Sequence, residues 1–215
     1  MATEVQTKLE ALRARTMREA QEVLTEQLPT RAVALGALHK ELVSRRASGD
    51  HRVARATVES WRTNLYEEIP VNAAVMDAAN RVRGEIEHVL AQTDSLKTWV
   101  ELSMPRMEDG NNFGVEVQME VLEMINALYK SGRQTLANLT IYNRSRGKLL
   151  TNMRKRLHLE DYAASIATID DVYFSMLIQH CFDLFNSILV LRDTMMKNIE
   201  KLRKPKGEMN SIFVQ

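Results

Sequence analysis

Apolar side chains recur every three or four residues along most of the chain, with polar side chains between them. In the N-terminal stretch they include Val5, Leu9 and Leu12 and, further on, Leu35 and Leu38. This spacing predicts helices, because it places the apolar residues on one face of each helical turn. We find no alternation with a period of two, which strands would require. The first helix is therefore predicted over about residues 3–45.

Proline residues mark interruptions of these apolar stripes. Pro29 lies inside the first stripe and is expected to kink or split that helix, because proline has no backbone N–H to donate. The stripe fades over residues 44–70, which are predicted to be a connection with one short helical piece near residues 58–66. Pro105 ends the second stripe and Pro205 the fourth. The remaining helices are predicted over about residues 71–104, 112–156 and 159–203.

Four long helices joined by short connections predict an all-α fold, an elongated up-down-up-down four-helix bundle. We expect one domain over residues 1–215, ending in a flexible C-terminal tail over residues 205–215. The fourth helix is apolar on more than one face between Val172 and Leu191. Either this helix is the most deeply buried one, or bundles associate side by side through it. Periodicity alone favours neither alternative.

Charge and cysteine content narrow the class of protein. The 215 residues contain 29 Lys and Arg against 28 Asp and Glu, a net charge of +1. This balance argues against a chain-wide nucleic-acid-binding surface. The single cysteine, Cys181, excludes an intramolecular disulfide framework and is expected to be buried and structural. The N-terminus lacks the apolar core of a signal peptide, and polar residues interrupt the most apolar stretch. We therefore expect a soluble protein of the cytoplasm, the nucleus or both, with no membrane partner.

Residues with catalytic or ligating chemistry do not form a recognisable site. Glu85 and His88 give one Glu-x-x-His pair, whereas a di-iron bundle needs two such pairs and further glutamates. There is no glycine-rich phosphate-binding loop. Asp170 and Asp171 are expected on a solvated face or near a helix start. We predict no catalytic residue, no metal and no cofactor.

Basic residues concentrate in two segments. One contains five arginines among residues 45–62, and the other contains six cations without any acidic residue among them: Arg144, Arg146, Lys148, Arg154, Lys155 and Arg156. In an up-down bundle both segments lie at the same end. They form either an ordinary solvated helix end or a basic rim that attracts acidic polymers or peptides. Aromatic residues suited to base stacking are few there, so nucleic acid is an unlikely partner.

One segment is specific enough to indicate a family. Residues 105–118, PRMEDGNNFGVEVQ, closely resemble the activation-loop segment of the 11S (REG-type) proteasome activators. LTEQLPTRAVALGAL at residues 24–38 is similar to their kinked first helix. LKTWVELSMPR at residues 96–106 is similar to the end of their second helix. KNIEKLRKPKGE at residues 197–208 is similar to the end of their fourth helix.

This resemblance implies a regulatory function in which the chain itself catalyses no reaction. Members of the family are non-catalytic rings, typically homoheptamers, that dock on the outer-ring subunits of the 20S proteasome. They open its gate without ATP, so that peptides pass through a central channel and are hydrolysed faster. The partners implied here are therefore the 20S proteasome, other copies of this chain and the transported peptides.

The resemblance also assigns roles to residues. The activation loop would comprise Arg106, Met107, Glu108, Asp109, Gly110, Asn111, Asn112 and Phe113. The proteasome-docking tail would comprise Ile212, Phe213, Val214 and Gln215. The six cations of the second basic segment would lie at the outer mouth of the channel and favour acidic peptides. Two departures from the family are the short connection over residues 44–71 and Val214, where ATPase-type activators carry tyrosine.

Two other functions are consistent with a helical chain of this composition. The first is a helical scaffold or adaptor oligomer in which the loop and the tail have no special role. The second is a polyanion-binding helical protein that uses the basic residues.

Overall fold

Helices make up all the regular structure in the described part of the chain. The computed structural model describes residues 2–105 and 113–205. Its eight α-helices are α1 Ala2–Glu22, α2 Leu28–Ser48, α3 Arg55–Thr63, α4 Ala73–Ser103, α5 Phe113–Leu139, α6 Ile141–Lys155, α7 Asp161–Lys197 and α8 Ile199–Arg203. A π-helical segment, Val23–Gln27, joins α1 to α2.

The π-helical segment is where the expected disturbance by Pro29 appears. The Leu28 N–H donates to the carbonyl of Val23, five residues earlier, instead of four. The proline ring would collide with the carbonyl four residues before it, and the wider turn relieves this collision. The Thr30 hydroxyl donates to the Glu26 carbonyl at 2.8 Å, one turn earlier. The chain therefore passes Pro29 without leaving the helix.

The connection between α2 and α4 contains α3, close to the short helical piece predicted near residues 58–66. Asn72 caps the next helix, because its Oδ1 accepts from the Val75 N–H at 3.2 Å. An asparagine in this position satisfies an N–H group that has no partner inside the helix. This cap fixes the start of α4 at Ala73.

The third and fourth predicted helices each contain a break that the apolar stripe does not reveal. Thr140 separates α5 from α6, and its hydroxyl donates to the Ala137 carbonyl at 2.7 Å. Asn198 separates α7 from α8, and its backbone N–H lies within reach of both Thr194 and Met195 carbonyls. Each break consists of a single non-helical residue, so the apolar residues keep nearly the same spacing on either side of it.

The described chain divides into two compact units. Unit 1 comprises the described residues of Met1–Ala32, His88–Lys130 and Asn186–Gln215. Its four helical segments pack around buried apolar side chains: Leu24, Leu28, Val89, Leu96, Trp99, Val100, Val121, Ile125, Ile188, Leu191, Met195 and Leu202. Side chains also reach carbonyls of neighbouring helices, as when Arg192 donates to Leu24 and Tyr129 donates to Leu90.

Unit 2 comprises Val33–Glu87 and Ser131–Phe185. Its largest fully buried side chains are Leu35, Leu42, Ile86, Met153, Ile166, Phe174 and Leu177. Within it, Val58 and Trp61 of α3 pack on Met153 of α6 and Ile166 of α7 as a separate apolar cluster. Cys181 is fully buried, and burial raises the pKa of its thiol to about 12. The all-α four-helix-bundle fold predicted from the sequence is confirmed.

Helix α7 keeps an exposed apolar face in both units. The residues on it that remain exposed are Val172, Met176, Phe182, Leu189, Val190 and Met196. By length and composition alone α7 could cross a membrane, with a mean hydropathy of 1.4 over its most apolar window and 33% of that window buried. A core helix of a globular protein meets the same criteria. The exposed face shows that burial within one chain does not use all of the apolar surface of α7.

Candidate functional site

The predicted activation loop and docking tail lie largely outside the described residues. This applies to Arg106, Met107, Glu108, Asp109, Gly110, Asn111, Asn112 and the side chain of Phe113, and to Ile212, Phe213, Val214 and Gln215. The structure does describe the chain on which they are mounted. We call residues 103–105 the loop stem and residues 202–205 the tail stem. Both belong to unit 1.

Gln118 of α5 contacts both stems. Its Nε2 donates to the Ser103 carbonyl at 3.2 Å and to the Leu202 carbonyl at 3.0 Å. The Gln118 side chain is fully buried, and its Oε1 has no hydrogen-bond partner within the described residues. Ser103 is the last residue of α4, and Leu202 lies in the last turn of α8. Carbonyls at helix ends lack partners inside the helix, so one buried amide satisfies two of them.

Gly114 brings α5 against the tail stem at close range. A Cβ atom placed on Gly114 would lie 2.5 Å from the Cα and 2.6 Å from the carbonyl carbon of Pro205, and closer still to the Pro205 oxygen. Only glycine allows two backbones to approach in this way. Gly114 and Gln118 are four residues apart and therefore share one face of α5.

The second basic segment divides into four exposed cations and two arginines that are at least partly buried. The exposed ones are Arg144, Lys148, Lys155 and Arg156. The first three share a side of α6, a helix that contains no acidic residue. Arg156 donates to the Tyr162 hydroxyl at 2.8 Å and lies over the ring of that tyrosine. These four side chains keep the solvent-facing positive charge that a rim requires.

Arg146 and Arg154 do not have the exposed position that the rim hypothesis gave them. Arg146 is buried, and its Nε lies 3.2 Å from Oδ1 of the equally buried Asp170. Arg154 donates through Nε to the Trp61 carbonyl at 3.2 Å, and through Nη2 to the carbonyls of Asn64 and Glu67. Both guanidinium groups hold the connection between α2 and α4 in place. They belong to the architecture of unit 2 and not to a rim.

Asp170 is the centre of a buried polar network, contrary to the expectation of a solvated face. Besides Arg146, its oxygens accept from the Tyr142 hydroxyl at 2.6 Å and from Asn72 Nδ2 at 2.8 Å. Burial and the hydrogen bond to Asp170 raise the pKa of Tyr142, so this phenol remains protonated. A charge can be buried here because three donors surround it, one of them the cation of Arg146. Its partners lie on α6 and in the residue before α4, far from Asp170 in the sequence, so the local sequence does not reveal these contacts.

Asp171 neutralises part of the first basic segment. His51 Nε2 lies 2.9 Å from Asp171 Oδ1, and Arg46 and Arg52 each lie 3.4 Å from its carboxylate. The hydrogen bond from His51, assisted by the two arginines, lowers the pKa of Asp171. His51 itself is fully buried and stacks on Phe174 at 4.6 Å. Two other arginines of the segment, Arg45 and Arg62, pair with Asp77 and Glu59.

Gln118 and Asn72 are the contacts that sequence reasoning missed. Gln118 ends the segment that resembles the activation loop, but no role was assigned to it. A signal was present, because a glutamine stands among the apolar positions of α5, next to Val117 and near Val121. A polar residue on a buried face must find a partner, so it indicates a specific contact without naming it.

The described residues contain no cluster of three or more potential metal ligands. The Glu85 and His88 pair of α4 therefore lacks the further ligands that a di-iron site needs within residues 2–105 and 113–205.

Comparisons with a family model and with curated proteins both indicate the same protein family. Residues 68–212 match the family model described as proteasome activator PA28, C-terminal. Proteasome activator complex subunit 3 of Homo sapiens is 33% identical over 136 residues, which are 63% of this chain and 54% of that protein. The protein of the same name from Gallus gallus gives the same values. The chain thus spans about half the length of the curated relatives it matches.

Solved structures share the fold. The 11S subunit of the Plasmodium falciparum proteasome, PA28, has a TM-score of 0.82 at 22% identity, with 95% of each chain covered. A chain in the crystal structure of the yeast 20S proteasome with the activator PA26 from Trypanosoma brucei has a TM-score of 0.73 at 15% identity. That match covers 97% of this chain and all of the other.

Proposed function

Because the chain belongs to the proteasome activator PA28 family, we propose that it is an ATP-independent activator of the 20S proteasome. A ring of seven copies docks through the C-terminal tails, and the loop between α4 and α5 opens the gate of the outer ring. The chain contributes no catalytic group, and the proteasome itself hydrolyses the peptides. Faster peptide hydrolysis follows from easier entry.

One observation carries this proposal. The family match over residues 68–212 contains the whole predicted activation loop and reaches into the docking tail. These are the two elements by which a family member would contact the proteasome. Residues 105–118 by themselves already resemble the activation loop. The structure supports the proposal because it places the loop stem and the tail stem on the same buried residue, Gln118.

Two features favour self-association in this proposal. Helix α7 exposes an apolar face, and a single tail would bind the proteasome too weakly by itself. A short apolar segment with one terminal carboxylate binds weakly by itself. Seven tails on one ring raise the effective concentration of each remaining tail once the first has bound. The exposed apolar residues of α7 offer a surface that neighbouring copies would cover.

The experiment measures hydrolysis of a short fluorogenic peptide by purified 20S proteasome at low salt and without ATP, with and without the chain. We expect a large increase in rate. Deleting Val214 and Gln215 should abolish the increase, since it removes two of the four predicted docking residues. Gln215→Ala, which changes a single predicted docking side chain and keeps the chain length, should lose less of the stimulation than the deletion does.

Two results would contradict the proposal. Hydrolysis by the chain alone would contradict a non-catalytic role. A chain that neither stimulates the 20S proteasome nor co-sediments with it would instead act as a helical scaffold.

We further propose that the exposed cations of α6 favour acidic peptides. Lys148 and Lys155 are two helical turns apart on one face of α6, and both are exposed. Clustered positive charge raises the local concentration of anionic ligands. The double variant Lys148→Glu/Lys155→Glu should lower stimulation for an acidic peptide relative to a basic one by about tenfold at low salt. Lys40→Glu, an exposed charge reversal on α2, should leave this ratio unchanged. An unchanged ratio in the double variant would refute the proposal.

A further inference from the structure

We propose that Gln118 and Gly114 of α5 are positioning residues that hold the loop stem and the tail stem at a fixed separation. Docking by the tail would then place the loop correctly against the gate. This inference rests on the proposed function. It adds that the docking element and the gate-opening element are joined mechanically inside each chain, through the first turns of α5.

The Gln118 amide provides the first part of the argument. Its two hydrogen bonds end on Ser103, two residues before Pro105, and on Leu202, three residues before Pro205. The carbonyls that it contacts belong to different helices, 99 positions apart in the chain. Because the side chain is fully buried, water cannot replace either bond cheaply. Movement of one stem alone would therefore break a buried hydrogen bond.

The Gly114 contact provides the second part. Pro205 lies so close to Gly114 that any side chain there would displace the tail stem. The tail stem is thus supported from two points on one face of α5, at positions 114 and 118. The same helix begins at Phe113, where the predicted activation loop ends. The start of α5 consequently connects the C-terminal end of the predicted loop to the tail stem.

Fixed geometry matters because the two elements have to act together. A tail held in its binding pocket transmits its position to the loop only if the chain between them is rigid. Small errors of placement at a functional contact have large effects, since such groups must lie within about 0.5 Å of the productive geometry. A looser connection would let the tail dock while the loop misses its contact.

Two variants perturb the connection by independent routes. Gln118→Met keeps the size and burial of the side chain but removes both hydrogen bonds. Gly114→Ala forces Pro205 away, although alanine is the better helix former. Gly84→Ala is the matched control, because it is also a helical glycine to alanine change but meets nothing within 4 Å. Ring mass is measured for all three variants to ensure that assembled protein is compared.

The activation assay separates positioning from general stability. Titration of the 20S proteasome gives the activator concentration at half-maximal stimulation, which reports docking, and the maximal stimulation, which reports gate opening. We expect maximal stimulation to fall about tenfold in Gln118→Met and Gly114→Ala, while the concentration at half-maximal stimulation stays nearly unchanged. Gly84→Ala should match the wild type in both values. Two results would overturn the positioning role. One is a rise in the concentration at half-maximal stimulation as large as the fall in maximal stimulation, and the other is an unchanged maximal stimulation.

Hydrogen exchange tests the connection without the proteasome. Amide protons of Leu202 and Lys204 are hydrogen-bonded inside α8 and should exchange at least several-fold faster in Gln118→Met. Unchanged exchange would show that Gln118 does not hold the tail stem, and would overturn the inference even if the wild type is an activator. A wild type that fails to stimulate overturns the proposed function and the positioning role with it, whatever the exchange result.

Discussion

At the scale of single residues, Arg146 and Asp170 form a buried ion pair, although each is charged and was expected at the surface. Arg146 donates to Asp170 and, at 3.1 Å, to the Pro70 carbonyl, and its guanidinium lies over the ring of Trp61. Removing one member of a buried ion pair leaves the other charge uncompensated. The pair therefore ties stability to the connection that precedes α4.

Arg146→Met should strongly destabilise the protein. The expected loss is about 3–5 kcal/mol, because Asp170 would keep its burial and lose its cation. This corresponds to a fall in melting temperature on the order of 10 °C by thermal denaturation. Arg144→Met is the control, an exposed arginine on the same helix, and should change stability by less than about 0.5 kcal/mol. Equal effects of the two variants would mean that the pair contributes nothing specific.

Asp171 gives a prediction for pH dependence. Its pKa is lowered below the ordinary value of 3.8, mainly by the hydrogen bond from His51. The folded protein therefore holds the carboxylate more strongly than the unfolded chain does. This stabilisation is complete above pH 3.8 and is lost as the pH falls through the lower, folded-state pKa.

Asp171→Asn should accordingly be less stable than the wild type near neutral pH, with the difference closing in acid. Melting temperatures of both proteins between pH 7 and pH 2 measure this. Asp50→Asn, at an exposed aspartate in the connection after α2, should show no comparable gap. A gap for Asp171→Asn that widened on acidification would have the wrong sign and would refute the role assigned to this carboxylate.

At the scale of elements, α3 depends on its neighbours for its existence. It has nine residues, and isolated helices shorter than about 12–15 residues are marginal in water. Its support comes from Val58 and Trp61 in the apolar cluster and from the Arg154 guanidinium at its C-terminal carbonyls. The helix is therefore a product of tertiary contacts.

Trp61→Ala should unfold α3 while leaving α7 folded. Truncation of a large buried aromatic costs about 3–5 kcal/mol, which is more than a nine-residue helix contributes by itself. Hydrogen exchange should become fast in α3 and stay slow at buried positions of α7. Glu59→Ala, at an exposed position of α3, is the control. Protection of α3 that survives Trp61→Ala would show that other contacts hold it.

The sequence predicted elements well wherever apolar spacing determines them. The helical stripes indicate α4 and α7 because one buried face per turn is a local pattern, readable without knowledge of the partner. The break at Thr140 was not predicted, since the spacing of Leu139 and Tyr142 continues across it. Asp170 and Arg146 were misplaced for a different reason. Their burial depends on contacts between distant positions, which a single sequence does not display.

The candidate site shows the same division. The loop and tail were assigned from a distinctive string of residues, and that assignment stays a prediction. The buried contacts of Gln118 could be suspected from its polar character in an apolar stripe. Their targets, two carbonyls on other helices, required the structure.

At the scale of the whole molecule, the exposed apolar face of α7 predicts assembly. Val190 is 56% exposed in the single chain, so Val190→Glu should not disturb its folding. In a ring it would place a charge in an apolar contact. Light scattering should show a smaller particle with unchanged helical content. Thr168→Glu, at an exposed position of the same helix, is the control. An unchanged mass for Val190→Glu would remove this part of α7 from the interface.

The π-helical segment has a consequence for the register of the N-terminal helix. A five-residue hydrogen bond between Leu28 and Val23 accommodates one residue more than an α-helical turn would hold. One surplus residue rotates everything before it by about 100° around the helix axis. The direction in which Val5, Leu9 and Leu12 point is therefore set by that residue. A relative with an unbroken α-helix and no proline here would keep the same direction only by being one residue shorter.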